Sequence, residues 1–156
     1  MNRQRLQFAI CLATVLGMLA LLACSGGDTP QYANPGAGSG DTAPSTVIVP
    51  ALSEPAQAGQ AAFNANCALC HGANAAGTNL GPPLVHKIYE PNHHQDFAFR
   101  NAVQNGVQSH HWQFGNMPPA PQVSEADVER IICYVRELQR ANGIFDDVAG
   151  LAACQP

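Results

Sequence analysis

Two cysteines separated by two residues and followed at once by a histidine constrain this chain more than any other feature. The stretch NANCALCHGANAAG, residues 64–77, contains Cys67, Cys70 and His71. A cysteine pair at this spacing serves zinc sites, dithiol redox sites and haem attachment. A zinc ribbon needs a second pair of ligands at similar spacing, and none follows. A thioredoxin-like motif belongs near a strand–helix–strand pattern, which this sequence lacks. The adjacent histidine favours the third use.

The order of the three groups matches the covalent attachment pattern of a c-type haem. The thiols of Cys67 and Cys70 would add to the two vinyl groups of the porphyrin, and the imidazole of His71 would be the proximal iron ligand. Composition agrees with a large cofactor, because aromatic residues are only 6% of the chain and alanine inflates its 46% hydrophobic content. A core of side chains alone would be thin, and an apolar cofactor would fill it.

The first 52 residues divide into two segments whose composition differs from the rest. Residues 1–23 combine a basic start with an uncharged apolar run, which is typical of an export signal peptide. That run is shorter than the roughly 20 apolar residues that cross a bilayer comfortably. Residues 24–52 are rich in Gly, Pro, Ser and Thr and predict a flexible linker, in which the short TVIV stretch is the strand candidate.

The signal segment ends in Leu21-Leu22-Ala23-Cys24, which resembles the bacterial lipobox. In that motif the signal peptidase cuts before the cysteine, and the cysteine then carries the lipid. Cys24 is therefore the predicted lipidation site, and its acyl chains would anchor the protein at the periplasmic side of a bacterial membrane. The alternatives are a plain secretory signal with an incidental cysteine and an uncleaved membrane helix.

Residues 53–156 form the predicted folded domain, whose C-terminal tail starts at about residue 143. A first helix is predicted from Pro55 to Asn66, and a second from a cap at Asp96 to about Asn105. The connections between helices are loops rich in Gly and Pro. The sequence therefore predicts an all-α domain.

The third predicted helix has the clearest pattern. Ser124 and Asp127 match a capping box, and Asn142-Gly143 ends the helix. One face of this helix is apolar, with members at helical spacing: Val128, Ile131, Ile132, Val135 and Leu138. Cys133 falls nearly opposite that face and is predicted to face outward, where the tail would fold across it.

These features together resemble the class I cytochrome c family over roughly residues 54–142. Gly59 and Phe63 match the glycine and the aromatic residue of the family's N-terminal helix. Ile131 and Tyr134 resemble positions of the C-terminal helix that crosses it. Gly81-Pro82 is similar to the loop beneath the proximal histidine. The resemblance implies a small all-α domain around one covalent haem c, which carries one electron at a time.

The stretch Asn116-Met117-Pro118-Pro119 is similar to the family's distal-ligand loop, which implies that Met117 is the sixth ligand opposite His71. Both axial positions would then be filled, and this favours electron transfer over catalysis. The expected partners are periplasmic or membrane-bound redox proteins: a dehydrogenase, an oxidase, a reductase or another cytochrome. The alternative is a haem enzyme, or a sensor of peroxide or gas, with an open or histidine-ligated distal site.

Five further histidines are many for a chain of this size: His86, His93, His94, His110 and His111. Either adjacent pair is an alternative source of a nitrogen ligand in place of Met117, and a second metal, copper or zinc, is a further interpretation. Because neighbouring residues usually point apart, surface or haem-edge imidazoles are the simpler interpretation. Trp112 and Tyr89 are candidates for hydrogen bonds to the haem propionates, with ordinary packing as an equal alternative.

Charge and the remaining cysteines bear on partners and on stability. Without residues 1–23 the chain keeps five Lys and Arg residues against eleven Asp and Glu, a net charge of −6 that disfavours nucleic acid as a partner.

Cys133 and Cys154 remain once the lipid and the haem are assigned to the other cysteines of the mature chain. Two leftover thiols in an oxidising compartment suggest a disulfide, and two free thiols are the alternative.

Overall fold

The computed structural model describes residues 46–154, and the predicted signal peptide, Cys24 and most of the linker lie outside them. The α-helices are α1 (Glu54–Asn66), α2 (Ala68–His71), α3 (Asp96–Asn105) and α4 (Glu125–Ala141). Short 3-10 segments cover Ala73–Ala75, Lys87–Tyr89 and Val148–Cys154. The described part of the chain has no β-strand, which confirms the all-α prediction. Within it, no helix has the length and apolarity to span a membrane.

Serine side chains cap the two helices that build the core. Oγ of Ser53 accepts a hydrogen bond from the N–H of Ala56 at 3.4 Å, and Oγ of Ser124 accepts one from the N–H of Asp127 at 3.2 Å. Each bond satisfies an N–H group that has no partner inside the first turn. As a result, α1 and α4 begin within one residue of their predicted starts.

The start of α3 differs from the prediction. Gln95 occupies the cap position without a side-chain hydrogen bond, and Asp96 is the first helical residue. The carboxylate of Asp96 accepts a hydrogen bond from Nε of Arg136 on α4 at 2.9 Å. An ion pair with another helix therefore takes the place of the predicted cap.

The helices α1 and α4 cross where Gly59 lies against Arg130. A Cβ atom at Gly59 would sit 1.9 Å from the carbonyl oxygen of Arg130, so only glycine allows this approach. Beside the crossing, the ring centroids of Phe63 and Tyr134 are 5.5 Å apart, and both residues are buried together with Ile131. The predicted crossing of the first and last helices is confirmed.

The buried surface of α4 extends beyond one apolar face. All five residues of the predicted face are buried, and so are Cys133, Arg136 and Gln139. Cys133 is covered because the tail segment Val148–Cys154 packs over the helix, and a disulfide joins Cys133 to Cys154. Loops and tail thus enclose α4 on several sides.

The chain just before α1 is bound to the C-terminal end of α4. The side-chain amide of Asn142 donates to the carbonyl oxygen of Ile48 at 2.8 Å and accepts from its N–H at 2.9 Å. The N–H of Ser53 donates to the carboxylate of Glu137 at 3.1 Å. The side chain of Asn142 therefore forms the pair of hydrogen bonds with Ile48 that a neighbouring strand would form. The TVIV stretch, the predicted strand candidate, forms no strand.

Candidate functional site

Cys67, Cys70 and His71 share one helical turn at the junction of α1 and α2. The N–H of Cys67 donates to Phe63 at 2.7 Å, and its carbonyl oxygen accepts from the N–H groups of Cys70 at 3.1 Å and His71 at 2.9 Å. Residues three and four positions apart lie on the same side of a helix. The two thiols and the imidazole therefore converge, as attachment of one cofactor through two bonds and a ligand requires.

The two thiols differ in their surroundings. Cys67 is half-buried and Cys70 is exposed, and neither belongs to a disulfide. Burial raises the pKa of the Cys67 thiol to about 11, and the nearby Cys70 adds to the rise. A thiol that stays protonated near neutral pH is a poor nucleophile towards disulfides.

The ring of His71 is oriented by Pro82. Its Nδ1 lies 2.9 Å from the carbonyl oxygen of Pro82, which only accepts hydrogen bonds, so Nδ1 carries the proton. Burial lowers the pKa of His71, and the hydrogen bond to Pro82 opposes this shift. The neutral imidazole keeps a free lone pair on Nε2, and the carbonyl fixes the orientation of the ring, as is common for metal-binding histidines.

The loop after α2 packs tightly against the cysteine motif. A Cβ atom at Gly81 would lie 2.9 Å from the carbonyl oxygen of Cys70, and the same oxygen accepts a hydrogen bond from the hydroxyl of Thr78 at 2.5 Å. Two leucines in this part of the chain are exposed to solvent, Leu69 at 81% and Leu80 at 55%. Exposed leucines in and just after the attachment motif form an apolar surface beside the site, which is typical of a surface that contacts a partner.

Met117 lies in the loop between α3 and α4, where backbone pairing holds it. Val107 and Met117 exchange N–H···O hydrogen bonds of 2.9 and 3.0 Å. Beside this bridge, the side-chain oxygen of Asn116 accepts a hydrogen bond from the N–H of Ser109 at 3.0 Å. The half-buried methionine is therefore fixed by its backbone in a loop that is far in sequence from His71.

Trp112 carries a buried donor that lacks a hydrogen-bond partner in the described part of the chain, its Nε1. The nearest polar group is the hydroxyl of Tyr89, whose pKa burial raises to about 12. The nearby N–H of Trp112 lowers that pKa somewhat, but the two groups do not form a hydrogen bond of good geometry. The indole N–H can only donate, so an acceptor belongs beside it. A haem propionate would supply such an acceptor, and ordinary packing beside Tyr89 is the equal alternative.

Four of the remaining histidines form one cluster, called here the histidine cluster: His93, His94, His110 and His111. The ring centroids are 4.8 Å apart within the first pair and 4.3 Å apart within the second. The two pairs meet where the Nε2 atoms of His93 and His111 are 3.4 Å apart. Burial lowers the pKa of His94 and of His111, and neighbouring histidines add to both shifts. The expectation that adjacent histidines point apart is therefore wrong for both pairs.

A buried arginine that sequence reasoning did not single out holds the histidine cluster against α4. Arg136 is fully buried, and its guanidinium donates to the carbonyl oxygens of Tyr89 at 2.6 Å and His94 at 2.5 Å. It also forms the ion pair with Asp96. The signal in the sequence is the arginine that directly follows the apolar run IICYV, because a charge is buried in such a helix only when it is paired.

A family model described as Cytochrome c matches residues 56–139. The match covers more than half of the chain, from α1 into the last turns of α4, and includes every residue of the candidate site. No curated protein and no solved structure matches the chain.

Proposed function

The chain belongs to the cytochrome c family, and from this premise we propose that it is a monohaem class I carrier of single electrons with His71 and Met117 as axial ligands. The family binds a covalent c-type haem and is a family of haem-based electron carriers. Cys67 and Cys70 would hold the haem through thioether bonds. When bound, the haem iron supplies reversible one-electron exchange.

The hydrogen bond from Nδ1 of His71 to Pro82 carries this proposal. At 2.9 Å it selects the tautomer whose Nε2 is free, beside two cysteines that are not in a disulfide. A carbonyl partner makes the imidazole a more basic ligand and keeps its ring in place when the iron changes charge.

The position of the histidine cluster supports Met117 over a nitrogen ligand. His93, His110 and His111 are exposed, and the members of the cluster contact one another, whereas Met117 is half-buried and its backbone is paired. A thioether opposite an imidazole stabilises ferrous iron and raises the reduction potential. With both axial positions filled by His71 and Met117, the iron would have no open site for a substrate, so the proposed role is electron transfer and not catalysis or sensing.

The substitution Met117→Ala tests the distal ligand. Sulfur bound to ferric low-spin haem gives a weak charge-transfer band near the red edge of the visible spectrum. We expect Met117→Ala to abolish this band, to lower the reduction potential and to open the iron to carbon monoxide. His111→Ala is the matched control and should leave the band, the potential and the ligand affinity unchanged.

Two outcomes would contradict this assignment. If the parent protein lacks the band, and His111→Ala opens the iron to carbon monoxide while Met117→Ala does not, the distal ligand comes from the histidine cluster. If the parent protein already binds carbon monoxide rapidly and turns over peroxide, and Met117→Ala behaves identically, the iron has an open site. The second outcome would support the haem enzyme or sensor in place of the electron carrier.

The proposed carrier is a bacterial lipoprotein, exported through residues 1–23 and anchored by Cys24 at the periplasmic side of a membrane. The support is the basic start, the apolar run and the lipobox-like end of the signal segment. We expect Cys24→Ala to move the haem-loaded protein into the soluble periplasmic fraction, whereas Cys11→Ala should leave it with the membrane. Retention of Cys24→Ala with an unprocessed N-terminus would instead support an uncleaved helix.

The proposed partners are redox proteins of the same compartment, with a dehydrogenase as donor and an oxidase, a reductase or another cytochrome as acceptor. Leu69 and Leu80 would contribute an apolar docking surface next to the attached haem, since the mature chain is acidic and lacks a basic patch. We expect Leu69→Glu to slow the oxidation of the ferrous protein by membranes of its own host at an unchanged potential. An unchanged rate would place docking elsewhere.

A further inference from the structure

The histidine cluster brings three ring nitrogens to one place. One nitrogen each from His93, His94 and His111 lies within 4.8 Å of the other two. Two nitrogens bound at 2.0–2.1 Å in a tetrahedral zinc site are about 3.3 Å apart. The Nε2 atoms of His93 and His111 are 3.4 Å apart and so already have this spacing. The distances to the nitrogen of His94 exceed this spacing by at most about 1.5 Å, and small rotations of the exposed His93 and His111 rings can close that difference.

We propose that His93, His94 and His111 form a binding site for a divalent transition-metal ion of the zinc and copper class, separate from the haem iron. Three imidazoles suit both ions. His93 and His111 are exposed, which leaves a fourth position for water. Neither His71 nor Met117 takes part, so the site goes beyond the proposed electron-carrier function and does not depend on it.

The surroundings of His94 match those of metal-binding histidines. Its Nδ1 donates to the carbonyl oxygen of Ile88 at 2.6 Å, so Nε2 is the nitrogen that keeps a lone pair. Its own carbonyl oxygen accepts from Nη2 of Arg136 at 2.5 Å. A carbonyl partner on the second ring nitrogen fixes the tautomer and the ring direction of a ligand. One ligand is thus held against α4, and the two exposed ligands can adjust around the ion.

The charges near the histidine cluster are compatible with a bound cation. The buried cation Arg136 contacts the backbone of His94, and it is neutralised by Asp96 at 2.9 Å. Within the described residues, the three-histidine group contains no carboxylate. An all-nitrogen ligand set selects zinc or copper over magnesium and calcium, which prefer oxygen.

Calorimetric titration with Zn²⁺ of the haem-loaded protein, purified without a histidine tag, tests this site. We expect saturable binding of one ion per chain. His93→Ala and His111→Ala should each weaken it by more than about 100-fold, since loss of an outer partner of a ligand alone costs roughly 10–100-fold. His110→Ala is the matched control, because its ring is 4.3 Å from that of His111 but it is not one of the three ligands. It should bind Zn²⁺ as the parent does.

The experiment separates this site from adventitious binding and from the haem assignment. Absence of saturable binding of both Zn²⁺ and Cu²⁺ would overturn the proposal. So would a weakening in His110→Ala as large as that in His111→Ala, or undiminished binding in a variant that lacks both His93 and His111. Cu²⁺ bound in place of Zn²⁺, with nitrogen couplings in its electron paramagnetic resonance that disappear in His111→Ala, would support the same site. Met117→Ala should bind Zn²⁺ unchanged, so failure of the axial assignment leaves this test intact.

Discussion

Replacing Arg136 with methionine should lower the free energy of unfolding by about 3–5 kcal/mol. The arginine is fully buried in the middle of α4. Its guanidinium donates to the Asp96 carboxylate at 2.9 Å, to the carbonyl oxygens of Tyr89 at 2.6 Å and His94 at 2.5 Å, and to the amide oxygen of Gln139 at 2.7 Å. Methionine fills much of the same space but donates no hydrogen bond, so the change isolates the loss of these partners.

The size of this loss in stability depends on whether each acceptor of Arg136 keeps another hydrogen-bond donor after the substitution. The carbonyl oxygen of Tyr89 keeps a donor, because the side-chain amide of Gln139 reaches it at 3.0 Å. The carbonyl oxygen of His94 and the amide oxygen of Gln139 lose a buried donor, at about 1–2 kcal/mol each. The side chain of Asp96 is 18% exposed and partly hydrated, so its unpaired charge adds about 1 kcal/mol. Together these losses amount to about 3–5 kcal/mol, the range measured when one partner of a buried ion pair is removed.

Urea unfolding of the haem-loaded protein, followed by circular dichroism, measures this loss. Arg140→Met is the matched control, because Arg140 is exposed and lies one turn further along α4. Its effect should remain within about 0.5 kcal/mol. Arg136→Lys should restore only part of the stability, since an ammonium group does not reproduce the fork of the guanidinium. If Arg136→Met costs less than about 1 kcal/mol, water replaces the guanidinium and the structural role assigned to Arg136 is wrong.

Three further changes probe the packing of the helices, the tail and a surface ion pair. Gly59→Ala should destabilise the haem-loaded protein by about 1–3 kcal/mol in urea unfolding, because the added Cβ would lie 1.9 Å from the backbone of α4; unchanged stability would refute the tight crossing. Reduction of the Cys133–Cys154 disulfide should lower the free energy of unfolding by about 3 kcal/mol, as expected for a cross-link spanning 21 residues. Linked peptides in a non-reduced digest identify the bridge, and alkylation of both thiols before reduction would rule it out. The hydrogen bond from Arg100 lowers the pKa of Glu129, so its stabilisation should be present above about pH 4.5 and disappear as the pH falls through the lowered value. Because the side chains are 41% and 42% exposed, the effect stays below about 1 kcal/mol, and Glu129→Gln should remove this part of the acid dependence of the melting temperature.

The helices and the cysteine motif could be predicted because their signals are local. The cap residues Ser53 and Ser124 bind N–H groups three residues away, and the spacing of Cys67, Cys70 and His71 puts them on one turn. Short-range hydrogen bonds of this kind depend on the residues immediately around them.

The histidine cluster and its support could not be predicted, because their partners are distant in the chain. His93 and His111 are 18 residues apart, and Arg136 reaches back 42 residues to the carbonyl oxygen of His94. Periodicity places Arg136 on a helix but does not say that loops will cover it. The unpaired N–H of Trp112 is likewise visible only once its neighbours are in place.

The pairing of Asn142 with Ile48 determines how a mechanical pull would enter the domain. A force applied through the residues that precede Thr46 meets the two hydrogen bonds between these residues before it reaches α1. The C-terminal tail, which the disulfide joins to α4 at Cys133, does not carry this force. A pull on the N-terminal side is thus transferred first to the end of α4. The turn that carries Cys67, Cys70 and His71 follows α1 in the chain, so the force would reach it only after passing along the whole helix.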